Sequence, residues 1–156
     1  MKGGNNLYFD KRVIYIILGC LILSTVIGYL SDPNKLLGLI ISIPAVLIAI
    51  TFHEFAHAFA ADKLGDDTPR NQGRLSLNPL HHLDPVGSLL LLFAGFGWGK
   101  PVEVNPRNFN RNISMEKADA IVSIAGPLMN LFLAIIFTLI YCAIVKFAPN
   151  ILIGTT

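Results

Sequence analysis

The chain has 156 residues, 53% hydrophobic and 14% charged, with mean hydropathy +0.60, against about 25% charged residues in an ordinary soluble domain. A chain this apolar is neither disordered nor soluble, and it lacks the glycine period of collagen and the cysteine density of a disulfide scaffold, which leaves an integral membrane protein. Its 12 basic and 10 acidic residues give a net charge of +2 with no contiguous basic run, so no nucleic-acid partner is expected.

Val13–Leu30 is eighteen residues without a charge, spanning ~27 Å against a hydrocarbon core of ~30 Å. This is the first candidate membrane span, and no A-x-A-like site follows it, which favours a retained helix over a cleaved signal. It contains Cys20; Cys142 lies in a later apolar run, and both are read as small buried hydrophobes. Ser31-Asp32-Pro33 is then a turn, with Asp32 placed to cap a second helix and Pro33 at its first position. The helical pattern runs through Pro44, where a kink is expected, to Leu64, and Gly65 is placed for a C-terminal cap before Asp66-Asp67.

A polar, turn-rich stretch follows, and then an apolar patch, Pro85–Gly99. It has fifteen residues and carries Gly87, Gly95, Gly97 and Gly99, so it suits a re-entrant or interfacial segment better than a full span. Lys100-Pro-Val-Glu-Val-Asn105 alternates, with Val102 and Val104 on one face, and predicts a short exposed β-strand or hairpin. Ala120–Val145, twenty-six residues without a charge between Asp119 and Lys146, is the third span.

With a non-crossing patch, ten of the Lys and Arg residues fall on one side and only Lys35 and Lys146 on the other; a crossing patch would give seven against five. The first pattern is the positive-inside one, placing the amino terminus and the long loop in the cytoplasm. The expected fold is an α-helical multi-pass membrane protein, residues 1–156 forming one core: about three transmembrane helices, a re-entrant or interfacial segment and a short β-strand or hairpin.

On the second helix stands His53-Glu54-Phe55-Ala56-His57, the H-E-x-x-H pattern. Residues i and i+4 share a helix face, so both imidazoles can bind one zinc while the carboxylate leans toward the water such an ion would hold. Ionisable groups at membrane depth are costly, and three within five positions point to function. His53 lies ~26 Å along the helix from Leu36, near the cytoplasmic end of the hydrocarbon layer. A zinc hydrolase also needs a third protein ligand. The metzincin pattern is absent, since Ala58-Phe59-Ala60-Ala61-Asp62-Lys63 follows the motif.

Further motifs follow in order: Gly73-Arg74-Leu75-Ser76-Leu77-Asn78-Pro79, His82-Leu83-Asp84-Pro85-Val86-Gly87, Gly97-Trp98-Gly99-Lys100-Pro101-Val102 and Ala125-Gly126-Pro127-Leu128-Met129-Asn130. With His53–His57 they resemble the site-2 proteases, intramembrane zinc metalloproteases, in their compact prokaryotic form without an inserted PDZ domain. The resemblance covers roughly residues 45–145. It implies a zinc metalloendopeptidase that cleaves membrane-spanning substrates near or within the bilayer, His53 and His57 being metal ligands and Glu54 the general base. It also implies that the strand at Lys100–Asn105, or Gly126 and Asn130, positions an unwound substrate; for these two residues, helix packing and an interhelical hydrogen bond are equal alternatives.

The family takes its third ligand from an aspartate in an N-x-x-P-x-x-x-x-D-G motif, which these 156 residues do not contain. The expectation is therefore a core incomplete at its C-terminal end relative to the family, a site completed by an unusual residue such as Asp84, or a non-catalytic membrane binding or regulatory module built on the same core. For His81, His82 and Asp84 the first reading is loop stabilisation. A small proton or metal transporter is a further alternative, disfavoured because the other spans carry no charged partner for Glu54.

Overall fold

The computed structural model describes residues 11–94 and 97–150. It is mostly helical. In chain order the helices are α1 (Lys11–Ser31), α2 (Pro33–Lys63), the single turn α3 (Thr68–Asn71), α4 (Pro85–Ala94) and α5 (Met115–Phe147). Among the described residues two helices, α2 and α5, are long and apolar enough to cross a membrane, with mean hydropathies of 2.3 and 2.5 over windows of which only 6% and 0% is buried. Apolar surface left exposed on this scale is not that of a soluble core, and it places the protein in a membrane. The expected first span is helical, but its apolar part, Tyr15–Ser31, is too short to pass the same test, so three spans are not established.

Two compact units make up the chain, and the division within α2 falls between Ile43 and Pro44, the residue that cannot donate a helical hydrogen bond. One unit holds α1, the start of α2, and α4, which packs on α1. At ten residues α4 is ~15 Å long, half a hydrocarbon core. The chain folds back beside it: a Cβ on Gly87 would meet the Trp98 indole at 2.8 Å.

The other unit contains α2 from Pro44, α3 and α5. Local chemistry sets the ends of the long helices in both units. At the start of α2 the Asn34 N–H donates to the Asp32 carboxylate at 3.0 Å, the cap expected of that residue. At its far end Gly65 adopts φ +105°, the Gly65 N–H donates to the Asp62 carbonyl and the Asp66 N–H to the Ala61 carbonyl. This pair of bonds is the Schellman motif, which needs a left-handed residue. Asn110 also packs so closely that a Cβ on Gly65 would lie 2.7 Å from its Oδ1. Ser114 caps α5 by accepting from the Lys117 N–H, with Glu116 in the first turn and Lys146 in the last, as the helix dipole prefers. Ala61, Phe109, Ala118 and Val122 form the buried core where the end of α2 meets the start of α5, and the small alanines let the two helices approach.

The loop between them is organised by a buried carboxylate. Asp66 accepts from the Thr68 hydroxyl at 2.5 Å, the Asn105 N–H at 2.7 Å, the Asn108 amide at 2.9 Å and the Thr68 N–H at 3.1 Å. Burial alone would raise its pKa, but these hydrogen bonds hold the carboxyl below the usual carboxylate range. A group depressed in the fold gives stability that is present above its unfolded pKa of ~3.9 and is lost as pH falls through the lower folded value. Thermal unfolding in detergent is expected to show falling stability below about pH 4. An Asp66→Asn variant should be about 1–3 kcal/mol less stable at neutral pH and lose part of that acid dependence; equal acid sensitivity in the variant would contradict the role.

The expected strand at Lys100–Asn105 keeps its alternation, with Val102 and Val104 half-buried between exposed neighbours, but has no regular secondary structure, and no sheet forms among the described residues. An isolated antiparallel bridge, Leu83 to Gly99, stands in its place, with the Lys100 N–H donating to the His82 carbonyl at 2.7 Å. Side chains take up other backbone groups: the Asn105 N–H goes to Asp66, and the Pro101 carbonyl accepts from the buried Arg74 guanidinium at 3.3 Å. A segment held in this way does not require a partner strand.

Candidate metal centre

His53 and His57 stand on one face of α2, and Glu54 is offset ~100° round the helix from His53. All three are half-buried. The two Nε2 atoms are 3.1 Å apart, with ring planes at 80°. Two nitrogens each ~2.0–2.1 Å from one tetrahedral zinc lie ~3.3 Å apart, so this spacing fits two ligands of a single ion.

α5 supplies the rest of the cradle through residues four apart. A Cβ placed on Gly126 would run into His57 Nε2 and lie 2.7 Å from His53 Nε2, so the space between the imidazoles exists because residue 126 has no side chain. One turn before it, the Val122 carbonyl faces His57 Nδ1 at 2.6 Å. One turn after it, the Asn130 Nδ2 faces His53 Nδ1 at 3.2 Å. A carbonyl only accepts, so His57 carries its proton on Nδ1 and presents a bare Nε2, while His53 faces Asn130 through Nδ1 and also hydrogen-bonds the Gly126 backbone. Asn130 Oδ1 is left buried without a partner.

Among the described residues no group of three His, Cys, Asp or Glu side chains is arranged to hold a metal, so neither Asp84 nor any other such residue stands with the two histidines as a third ligand. Asp84 lies between the Leu83–Gly99 bridge and the first residue of α4. His81 and His82 are tied to the loop, His81 Nδ1 lying 3.1 Å from the Gly73 carbonyl and the fully buried His82 Nε2 2.6 Å from that of Ser76. Glu54 makes no hydrogen bond among the described residues. Gly99 comes close to it: a Cβ there would lie 2.8 Å from Ile50, 3.0 Å from the His82 carbonyl and 3.4 Å from Glu54 Oε1. An apolar groove of about 320 Å³ runs beside the site between α2 and α5, bordered by Ala56, Phe59, Ala60, Ala125, Met129 and Phe132. The Val122 carbonyl and the buried Asp66 are contributors that the sequence reading did not single out.

Relatives carry the same chemistry in their names. Over 91 residues, 58% of this chain and 40% of the relative, the chain is 53% identical to "Putative zinc metalloprotease YwhC" of Bacillus subtilis. It is 37% identical to "Putative zinc metalloprotease Rip2" of Mycolicibacterium smegmatis over 62% of this chain and 38% of that one, and 32% identical to the Mycobacterium tuberculosis protein of the same name over 78% and 50%. These matches support a place in the site-2 protease family. The chain spans half or less of the length of these relatives. No family model matches the chain, and no solved structure does.

Proposed function

We propose that the chain carries the zinc-binding core of an intramembrane metalloendopeptidase that hydrolyses peptide bonds of membrane-spanning substrates. The observation that carries this reading is the pair of Nε2 atoms 3.1 Å apart over the side-chain-free Gly126, with Glu54 beside them on the same helix. His53 and His57 would hold the ion. When bound, zinc supplies Lewis-acid polarisation of the scissile carbonyl and acidifies water toward a pKa of ~7.

Glu54, with no hydrogen-bond partner among the described residues, is available to take the attacking water's proton on its carboxylate and return it to the leaving amine. The groove of apolar and small residues beside the imidazoles suits a lipid-embedded substrate segment. Such a segment must unwind before attack, because a helix hides its peptide bonds in its own hydrogen bonds. The Lys100–Asn105 segment, Gly126 and Asn130 are the candidates for positioning it. The lipid bilayer is the other partner, and the net charge of +2 leaves no case for nucleic acid. The distribution of Lys and Arg supports a multi-pass arrangement in the cell membrane, with the amino terminus and the active-site end in the cytoplasm.

A catalytic zinc requires a third protein ligand. That only two donors are grouped among the described residues favours a second reading, a non-catalytic membrane module built on the protease core. Glu54→Gln separates the two: the enzyme loses cleavage of a membrane-spanning peptide, whereas the module is unaffected.

A further inference from the structure

The apolar groove between α2 and α5 ends in positive charge. Its lining includes Ala56 and Phe59 of α2 and Ala125, Leu128 and Phe132 of α5. Phe59, Leu128 and Phe132 are 46%, 52% and 57% exposed, so in a membrane the groove faces lipid. On α2, Phe55, Phe59 and Lys63 follow at single-turn intervals. The two rings stack with centroids 5.9 Å apart, and the Lys63 ammonium stands 5.3 Å from the Phe59 centroid. One border of the groove is thus a ladder of rings that leads to a cation.

The other border leads to a second one. The helices run antiparallel here, with Val122 beside His57 and Ala118 in one cluster with Ala61, so Lys117 is level with Lys63. At 100° per residue Lys117 lies ~20° from Leu128 and ~60° from Phe132 round α5, whereas Glu116 and Asp119 lie ~120° or more from either. On α2 the neighbouring Asp62 is taken by the Arg70 guanidinium through two bonds of 2.7 Å. Neither lysine forms an ion pair among the described residues. At about 320 Å³ the groove has room for about ten groups of water size, ~30 Å³ each. Its apolar lining offers water no hydrogen-bond partners, and methylene groups need none. Lys63 stands eight residues from Phe55, ~12 Å along the helix, close to the ~15 Å of hydrocarbon in one leaflet.

We propose that this groove is the seat of an anionic phospholipid, with one acyl chain between α2 and α5 and the phosphate held by Lys63 and Lys117. A zwitterionic headgroup brings its own cation to the lysines, so net negative charge selects the lipid. The seat requires neither a bound metal nor peptide hydrolysis; a substrate segment that enters the groove displaces the lipid.

Native mass spectrometry of the full chain, released from a neutral detergent with equal amounts of phosphatidylglycerol and phosphatidylcholine, counts the lipid retained. One phosphatidylglycerol per chain is expected, held about 25-fold more tightly than phosphatidylcholine, about fivefold for each lysine. Lys63→Gln combined with Lys117→Gln should erase that preference. Lys146→Gln should leave it unchanged, although Lys146 stands at the same 5.3 Å from a ring, that of Phe147, at the other end of α5. Ala125→Leu fills the groove and should lower retention of both lipids, with an unaltered thermal melt showing that the variant is folded. Glycerol phosphate, a headgroup without chains, should not displace the bound lipid. Equal retention of the two lipids by the parent, a preference that survives in the double lysine variant, or displacement by glycerol phosphate overturns the proposal. A lipid-free dimer in the same spectrum assigns the groove to a second copy of the chain and overturns it as well.

Discussion

Replacing Glu54 by Gln lowers peptide hydrolysis by about 100- to 10,000-fold, the usual contribution of a positioned general base, and leaves zinc bound. The substitution keeps the size of the side chain and removes only its ability to accept a proton. Glu54 lies on α2 between the two histidines in sequence, half-buried, without a hydrogen bond among the described residues and with the Gly99 backbone close to its Oε1. It does not hold either imidazole, since His57 and His53 take their Nδ1 partners from Val122 and Asn130. Metal content should therefore be that of the parent, and the lost rate belongs to proton transfer. Cleavage of a membrane-spanning peptide, measured alongside zinc content, checks both halves. Parent-like cleavage in the variant would remove Glu54 from the mechanism and favour the non-catalytic module.

A single methyl group on Gly126 should be nearly as damaging, by a different route. In Gly126→Ala the new Cβ would collide with His57 Nε2 and lie 2.7 Å from His53 Nε2 and 2.8 Å from its Cε1. That is the space between the two donors, so the imidazoles must move apart or the ion cannot enter. Zinc affinity is expected to fall by about 100-fold or more, at the upper end of what disturbing the surroundings of a metal ligand costs. The sign of the change is informative, because in an exposed helix interior Gly→Ala stabilises by about 1 kcal/mol. If position 126 were ordinary helix surface, the variant would be more stable and bind zinc unchanged. Isothermal titration with zinc and a thermal melt on the same sample distinguish these results.

What the sequence discloses about this site depends on the range of the interaction. The two ends of α2 are local matters: Asp32-Pro33 and Gly65 announce a cap and a stop within a few residues, and both are found where the pattern puts them. The shared face of His53 and His57 follows from helical spacing alone. Asn130 stands out as a polar residue in an apolar run, but its contact with His53 spans 77 positions and no local pattern contains it. The Val122 carbonyl is less visible still, because every residue has a carbonyl and only the crossing of α5 over α2 chooses this one. Asp66 looks like a turn residue in sequence; its partners Asn105 and Asn108 come 39 and 42 positions later. The alternation of Lys100–Asn105 correctly marks Val102 and Val104 as less exposed than their neighbours, yet a sheet also needs a neighbouring strand. Here Asp66 and Arg74 take up the Asn105 N–H and the Pro101 carbonyl.

The two imidazoles over Gly126 are proposed to bind one metal ion. Zinc stoichiometry of the purified full chain in detergent, measured beside His57→Ala, tests it most directly. The expected result is one zinc per chain, lost in the variant. A parent without bound zinc, or a variant that retains it, would contradict the assignment of His53 and His57 as a metal pair.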